Sequence, residues 1–310
     1  MKICIIGSYA KALVMTTDRI PLVGETLLGD HYRETFGGKG SDMAVQAARL
    51  GAEVSYIGVV GNDSFGLEFL DLMKSEGVTL EGIRQTTEKP TGVGFIIKDT
   101  NARNVIVVDM GANQLFSKGD IERHLKLIEE ADVVLAQLEI PTETALYALK
   151  KAKELGKTTI LNPAPAINLL SYDLSFVDFI TPNETEARVT IGEMPEVELS
   201  HREVALELLK SGCGTVIMTL GGAGVEIHTS TNCTAVSACP IEVVDSNGAG
   251  DSFNASLAVA FGEGKELRDA VQFANAVAAL CCTKWETVPS YHTRSEVEEF
   301  ISKRRIYDET

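Results

Sequence analysis

The sequence predicts an α/β protein whose mostly parallel central sheet is covered by helices. Strand-like apolar runs alternate with helix-like runs over most of the 310 residues. The 27 glycines gather at the junctions between these runs, as strand-to-helix turns require. The chain is 45% hydrophobic, which provides core for one large domain or two modest ones.

Residues 3–6, 54–59, 133–136, 158–161, 176–180 and 215–219 read as short buried strands. Helical spacing marks 40–50, 65–76, 142–155, 184–191 and 202–210. Two stretches break the alternation. Residues 12–36 hold Pro21 and Gly24 among short extended pieces. Residues 91–109 read as strands 92–97 and 104–108 around a polar turn at 99–103. Neither stretch has a helix between its strands. They are either surface hairpins or a small sheet that closes over a substrate.

The formal net charge is −16, and no basic patch interrupts it. That argues against nucleic acid as a partner. The opening apolar run is too short for a signal peptide, and no long apolar run follows it, so no membrane partner is expected. Cys4, Cys213, Cys233, Cys239, Cys281 and Cys282 form no CxxC pair, and the histidines show no HxxxH spacing. Spacing alone gives no support to a zinc site. The cysteines suit a reducing, cytoplasmic compartment.

The stretch Asp245-Ser246-Asn247-Gly248-Ala249-Gly250-Asp251 carries the most chemistry. Phe253, Leu257 and Phe261 follow at helical spacing, which puts the small residues at a helix N-terminus. Unpaired N–H groups and the helix dipole suit an anion there, phosphate above all. Asp251 is then an acid beside an anion site, suited to act as general base for a hydroxyl attacking a phosphoryl group. The plainer reading is a tight turn with an Asp cap.

Phe36-Gly37-Gly38-Lys39-Gly40-Ser41-Asp42 opens another helix. It is not a Walker A loop, because Gly follows Lys39. Asn183 and Glu186 share the first turn of a helix, as a water-mediated Mg²⁺ site or as a cap. Thr219-Leu220-Gly221-Gly222-Ala223-Gly224 joins two strands, as a hairpin turn or as a wall against a nucleotide. Glu139 follows a strand, where it binds substrate hydroxyls or faces solvent.

In this order, the pieces resemble the PfkB carbohydrate kinase family, its ribokinases most closely. The matching blocks run nearly end to end: Gly24-Glu25-Thr26, 36–40, Thr91-Gly92-Val93, Gly111-Ala112-Asn113, Gln137-Leu138-Glu139, 162–165, 181–187, 219–224, 245–254 and 273–279. The resemblance implies a ribokinase-like three-layer sandwich, a single domain over residues 1–310, with a β-sheet lid from about 12–36 and 91–109. It implies an ATP-dependent kinase acting on a primary hydroxyl of a sugar-like substrate. Asp251 would be the base, with Gly248, Ala249 and Gly250 as its anion hole. Asn183, Thr219, Leu220, Gly221, Gly222, Ala223, Gly224, Gly250 and Asn275 would line the ATP site. Glu186 would support Mg²⁺ through water. Asp245 and the Asn247 carbonyl would hold K⁺, with Ser290 and the carbonyls of Cys281, Lys284 and Glu286. Gly38, Lys39, Gly40, Asp42 and Glu139 fall where the sugar is held, and the family's ribokinases pair through their lids as homodimers.

The departures sit at the sugar. Where those ribokinases place Asn and Asp after the first strand, this chain has Ala10 and Ala12, and Asp42 replaces a third Asn. Glu286, preceded by Trp285, takes a position usually held by Gly. A sugar kinase of altered specificity follows. The alternatives are a nucleoside kinase of the same family, with the base near Tyr9, and a non-catalytic sugar- or nucleoside-binding regulatory protein.

Overall fold

Strand β1 (Lys2–Ile6) shows how the layers arise. Ile3 and Ile5 enter one apolar layer, Cys4 and Ile6 the other, and all four are fully buried. A strand covered on both faces reads as one continuous apolar run. The computed structural model describes residues 1–100 and 103–308; Asn101 and Ala102, in the expected 99–103 turn, lie outside the described residues, as do Glu309 and Thr310.

Lid strands β2 (Ala10–Thr17) and β3 (Asp30–Gly37) come next, then α1 (Lys39–Arg49), β4 (Glu53–Gly61), α2 (Ser64–Ser75) and β5 (Ile83–Thr86). The lid resumes with β6 (Gly92–Asp99) and β7 (Asn104–Asp109), followed by α3 (Lys118–Arg123) and α4 (Leu125–Glu130). Then come β8 (Val133–Gln137), α5 (Thr142–Glu154), β9 (Thr158–Asn162), β10 (Phe179–Ile180), α6 (Glu184–Thr190), α7 (His201–Lys210) and β11 (Thr215–Thr219). Strands β12 (Val225–His228) and β13 (Cys233–Val236) precede α8 (Ala249–Gly262), α9 (Leu267–Cys281) and α10 (Arg294–Asp308).

The main sheet runs β13-β12-β11-β10-β9-β8-β1-β4-β5. It is parallel except at one edge, where β12 and β13 turn back antiparallel. Helices α1, α8 and α9 cover one face, and α5 and α7 the other. This is the expected three-layer sandwich. Helix α8 is its central helix: every residue from Asp251 to Ala260 is buried. No helix among the described residues is long and apolar enough to cross a membrane.

The strand expected over 176–180 shrinks to Phe179–Ile180. Asp178 spends its side chain on β9 instead, where its carboxylate accepts from the Thr159 N–H at 3.0 Å. The Asp178 N–H donates to the Thr159 hydroxyl at 2.9 Å.

The extended pieces of 12–36 are two eight-residue strands, and they join β6 and β7 in a second sheet, ordered β3-β2-β6-β7. Period-two alternation gives this sheet two faces. Ala10, Ala12, Gly94, Ile96, Ile106 and Val108 face a cavity above the main sheet. Met15, Phe95, Val105 and Val107 are exposed.

Candidate active site

Loop 245–251 separates two cavities. Asn247, Gly248 and Asp251 line a cavity of about 220 Å³ beneath the lid. Ser246, Ala249 and Gly250 line another of about 400 Å³. Gly248 makes this division possible. It caps α8 in the left-handed region at φ +77°, and a Cβ there would lie 2.6 Å from the Tyr291 hydroxyl.

Gly38, Lys39 and Asp42, from the start of α1, line the smaller cavity together with Glu139 and Asp251. Gly40 does not. A Cβ on Gly40 would meet the Ser8 nitrogen at 2.5 Å and the Gly7 Cα at 2.6 Å, so its part is to seat α1 against the end of β1. Glu139 is a strut as well as a wall. One carboxylate oxygen accepts from the Lys39 N–H at 2.8 Å and from the Ser8 hydroxyl at 2.5 Å. Sequence reasoning missed Ser8, because a lone Ser after a strand carries no pattern.

Asp251 is 7% exposed, and its Oδ1 has no hydrogen-bond partner among the described residues. Burial pushes its carboxyl up to about 6, while the Lys39 ammonium, 3.7 Å away, pulls it back. Glu139 and Glu186 add like charge and raise it further. Lys39 is raised in turn, chiefly by Asp251. Asp42 is raised well above the carboxylate range by burial and by Asp251.

The larger cavity is lined by Asn183, Thr219, Gly221, Gly222, Gly224 and Asn275, together with Ala249 and Gly250. Leu220 and Ala223 do not line it. The Leu220 N–H donates to the Gly224 carbonyl at 2.8 Å and closes the turn, while its side chain packs against the core. Asn275 donates to the Ser237 carbonyl at 2.7 Å. Cβ atoms on Gly222 and Gly250 would meet nothing within 4 Å. A side chain at either position would project into open space. Asn183 and Glu186 form a capping box: the Asn183 Oδ1 accepts from Glu186 N at 2.8 Å, and Glu186 Oε2 accepts from Asn183 N at 2.9 Å. Glu186 lines neither cavity.

The residues expected around a monovalent cation converge below the loop. Asp245 accepts from Asn247 N at 3.1 Å and from Glu286 N at 3.2 Å. The Cys281 thiol lies 3.1 Å from the Ser290 hydroxyl. The Lys284 side chain points away, 3.9 Å from Glu296. From the lid, the Lys98 ammonium approaches Asp245 at 3.9 Å, a neighbour the sequence did not suggest.

Two cavities meeting across a helix N-terminus and a buried Asp suit transfer of a group from one ligand to another. Comparison with known proteins agrees. The pfkB family carbohydrate kinase model matches residues 1–294. The chain belongs to the pfkB family of carbohydrate kinases. Within it, a ribokinase of Bacillus subtilis is 38% identical over 300 residues, covering 97% of this chain and 99% of the relative. A deoxyribokinase of Salmonella typhi is 32% identical over 306 residues, covering 97% and 99%. The structure of an Arabidopsis thaliana ribokinase complexed with ribose and ATP superposes with a TM-score of 0.85 at 27% identity, covering 96% and 97%.

Within this family frame, Ala10 and Ala12 present no polar side chain to the smaller cavity, whose lid side takes its polar groups from Lys11, Arg33, Thr35 and Lys98 instead. Tyr9, which a nucleoside reading places near the base, does not line the cavity. It stacks on Phe69 with ring centroids 4.4 Å apart.

Proposed function

We propose that this carbohydrate kinase transfers the γ-phosphoryl group of ATP to a primary hydroxyl of a small sugar-like substrate whose lid-facing side lacks the hydroxyl pattern of ribose. The observation that carries the reading is loop 245–251, with Asp251 in one cavity and Gly250 in the other. The substrate hydroxyl gives its proton to Asp251 as its oxygen bonds to the γ-phosphorus. The bond from that phosphorus to the β-bridging oxygen breaks, and ADP leaves. The backbone N–H groups of Gly248, Ala249 and Gly250 stabilise the charge on the transferring group. Lys39 holds Asp251 ionised, and Glu139 holds the loop that carries Lys39.

ATP fits the larger cavity because Gly222 and Gly250 leave room against the backbone. Glu186 would support Mg²⁺ through water, and Asp245 with the carbonyl of Asn247 offers the oxygen donors that suit K⁺. Bound cations supply charge neutralisation for the phosphates. The whole chain acts as one domain. The six free cysteines support a cytoplasmic enzyme. The apolar outer face of the lid supports pairing of two copies there.

The test is ADP release from ATP and Mg²⁺, with and without K⁺, across pentoses, deoxy sugars, hexoses and nucleosides. A sugar that responds, with an Asp251→Asn variant silent, supports the proposal. Silence with every acceptor, with ATP binding confirmed, favours a regulatory binding protein.

A further inference from the structure

The edge hairpin of the main sheet brings together side chains that the kinase reaction does not use. We propose that Cys233, His228 and Glu226 form a zinc site, separate from the phosphoryl-transfer centre, with His201 beside it. Glu226 and His228 are two apart on β12, so they share a face of the strand. Cys233 on β13 sits directly opposite His228 in the antiparallel ladder. The thiol, the imidazole and the carboxylate of these three residues lie within 4.8 Å of one another. His201, the first residue of α7, lies against the Glu226 carboxylate of this cluster.

The distances suit one small ion. His228 Nε2 is 2.9 Å and His201 Nδ1 is 3.2 Å from the same oxygen of Glu226. Cys233 Sγ is 4.0 Å from His228 Nε2. Tetrahedral zinc, with bonds of about 2.0 Å to nitrogen or oxygen and about 2.3 Å to sulfur, holds its donors roughly 3.3–3.7 Å apart. The His228–Glu226 and Cys233–His228 spacings bracket that range. His201 gives outer support to the Glu226 ligand: its Nδ1 faces that carboxylate and its other nitrogen lies 3.0 Å from Glu184. A thiolate and a carboxylate together balance a divalent charge. Thiolate and imidazole donors select zinc over Mg²⁺ or Ca²⁺, which take oxygen. The three protein ligands hold the ion at the β12–β13 edge, and His201 links Glu226 to α7. Val225, beside Glu226, walls the nucleotide cavity, so the link steadies that wall.

The full chain is stripped with chelator and titrated with Zn²⁺ against a chromophoric competitor. The expected result is one zinc per chain and protection of the exposed Cys233 from a thiol reagent when zinc is bound. Cys233→Ser and Glu226→Gln should each weaken zinc binding about tenfold or more, while Cys239→Ser leaves it unchanged. The protection assay uses the unaltered protein, so it decides even if a variant misfolds. Absence of stoichiometric zinc, or equal binding by Cys233→Ser and the parent chain, overturns the proposal.

Discussion

Arg33 on β3 and Glu286 on the loop after α9 form an ion pair, with Nε and Oε1 2.5 Å apart. The pair joins the lid to the loop beside Asp245. Glu286 holds this position at φ +70°, a left-handed conformation that costs a non-glycine residue about 1–2 kcal/mol. The Arg33 side chain is 38% exposed, so the pair itself returns only about 0–1 kcal/mol. Glu286→Gly should therefore raise stability by about 1 kcal/mol or less. It should also loosen the lid and raise the KM for the sugar several-fold, with a smaller change in kcat. Urea unfolding and steady-state kinetics read both effects. Lower stability with an unchanged KM would rule out the Arg33–Glu286 pair as a link that holds the lid.

Asp251 gives a pH prediction whose sign is the reverse of a salt-bridged acid. Its folded carboxyl is raised from 3.8 to about 6 by burial. Its contribution to stability is therefore fullest below 3.8 and declines as pH rises towards 6. Above that, the buried charge costs about 3 kcal/mol at most, at about 1.4 kcal/mol per unit. Asp251→Asn should be more stable than the parent chain at pH 7 and slower by about 10²–10⁴-fold. For the parent chain, kcat/KM should fall about tenfold per unit below pH 6. Turnover of the variant within tenfold of the parent would rule out the base.

Ala10, Ala12 and Asp42 set the third test. Sites that hydrogen-bond a hydroxyl discriminate strongly for it, and alanines stand at the two positions where the family resemblance expects such partners. Ala10→Asn, Ala12→Asp and Asp42→Asn combined should raise kcat/KM for ribose by about tenfold or more. Unchanged ribose kinetics in a folded triple variant would place specificity elsewhere.

Phe95 and Val107 are register partners on the exposed face of the lid. Phe95→Glu with Val107→Lys should convert a dimer to a monomer in sedimentation velocity. A parent chain that is monomeric at every concentration would remove lid pairing.

Long apolar runs made the sandwich legible, because β1, β8 and β11 are buried on both faces. The 245–251 loop was legible because its small residues and acid are contiguous. Three things were not. Strand β10 is two residues long because Asp178 diverts to Thr159. Gly40 sits in a substrate-like motif, yet contact with Gly7 and Ser8 accounts for it. Cys233 and His228 meet only through strand pairing, which no linear spacing records.

The open space at Gly222 and Gly250 separates two kinds of damage that usually travel together. An alanine at either position meets no steric obstacle in the free protein. Such a variant would purify, melt and scatter like its parent, and it would fail only when nucleotide is offered. Selection on solubility or heat resistance is blind to these positions. On the proposed reading, the effect of such an alanine appears only with nucleotide in the cavity.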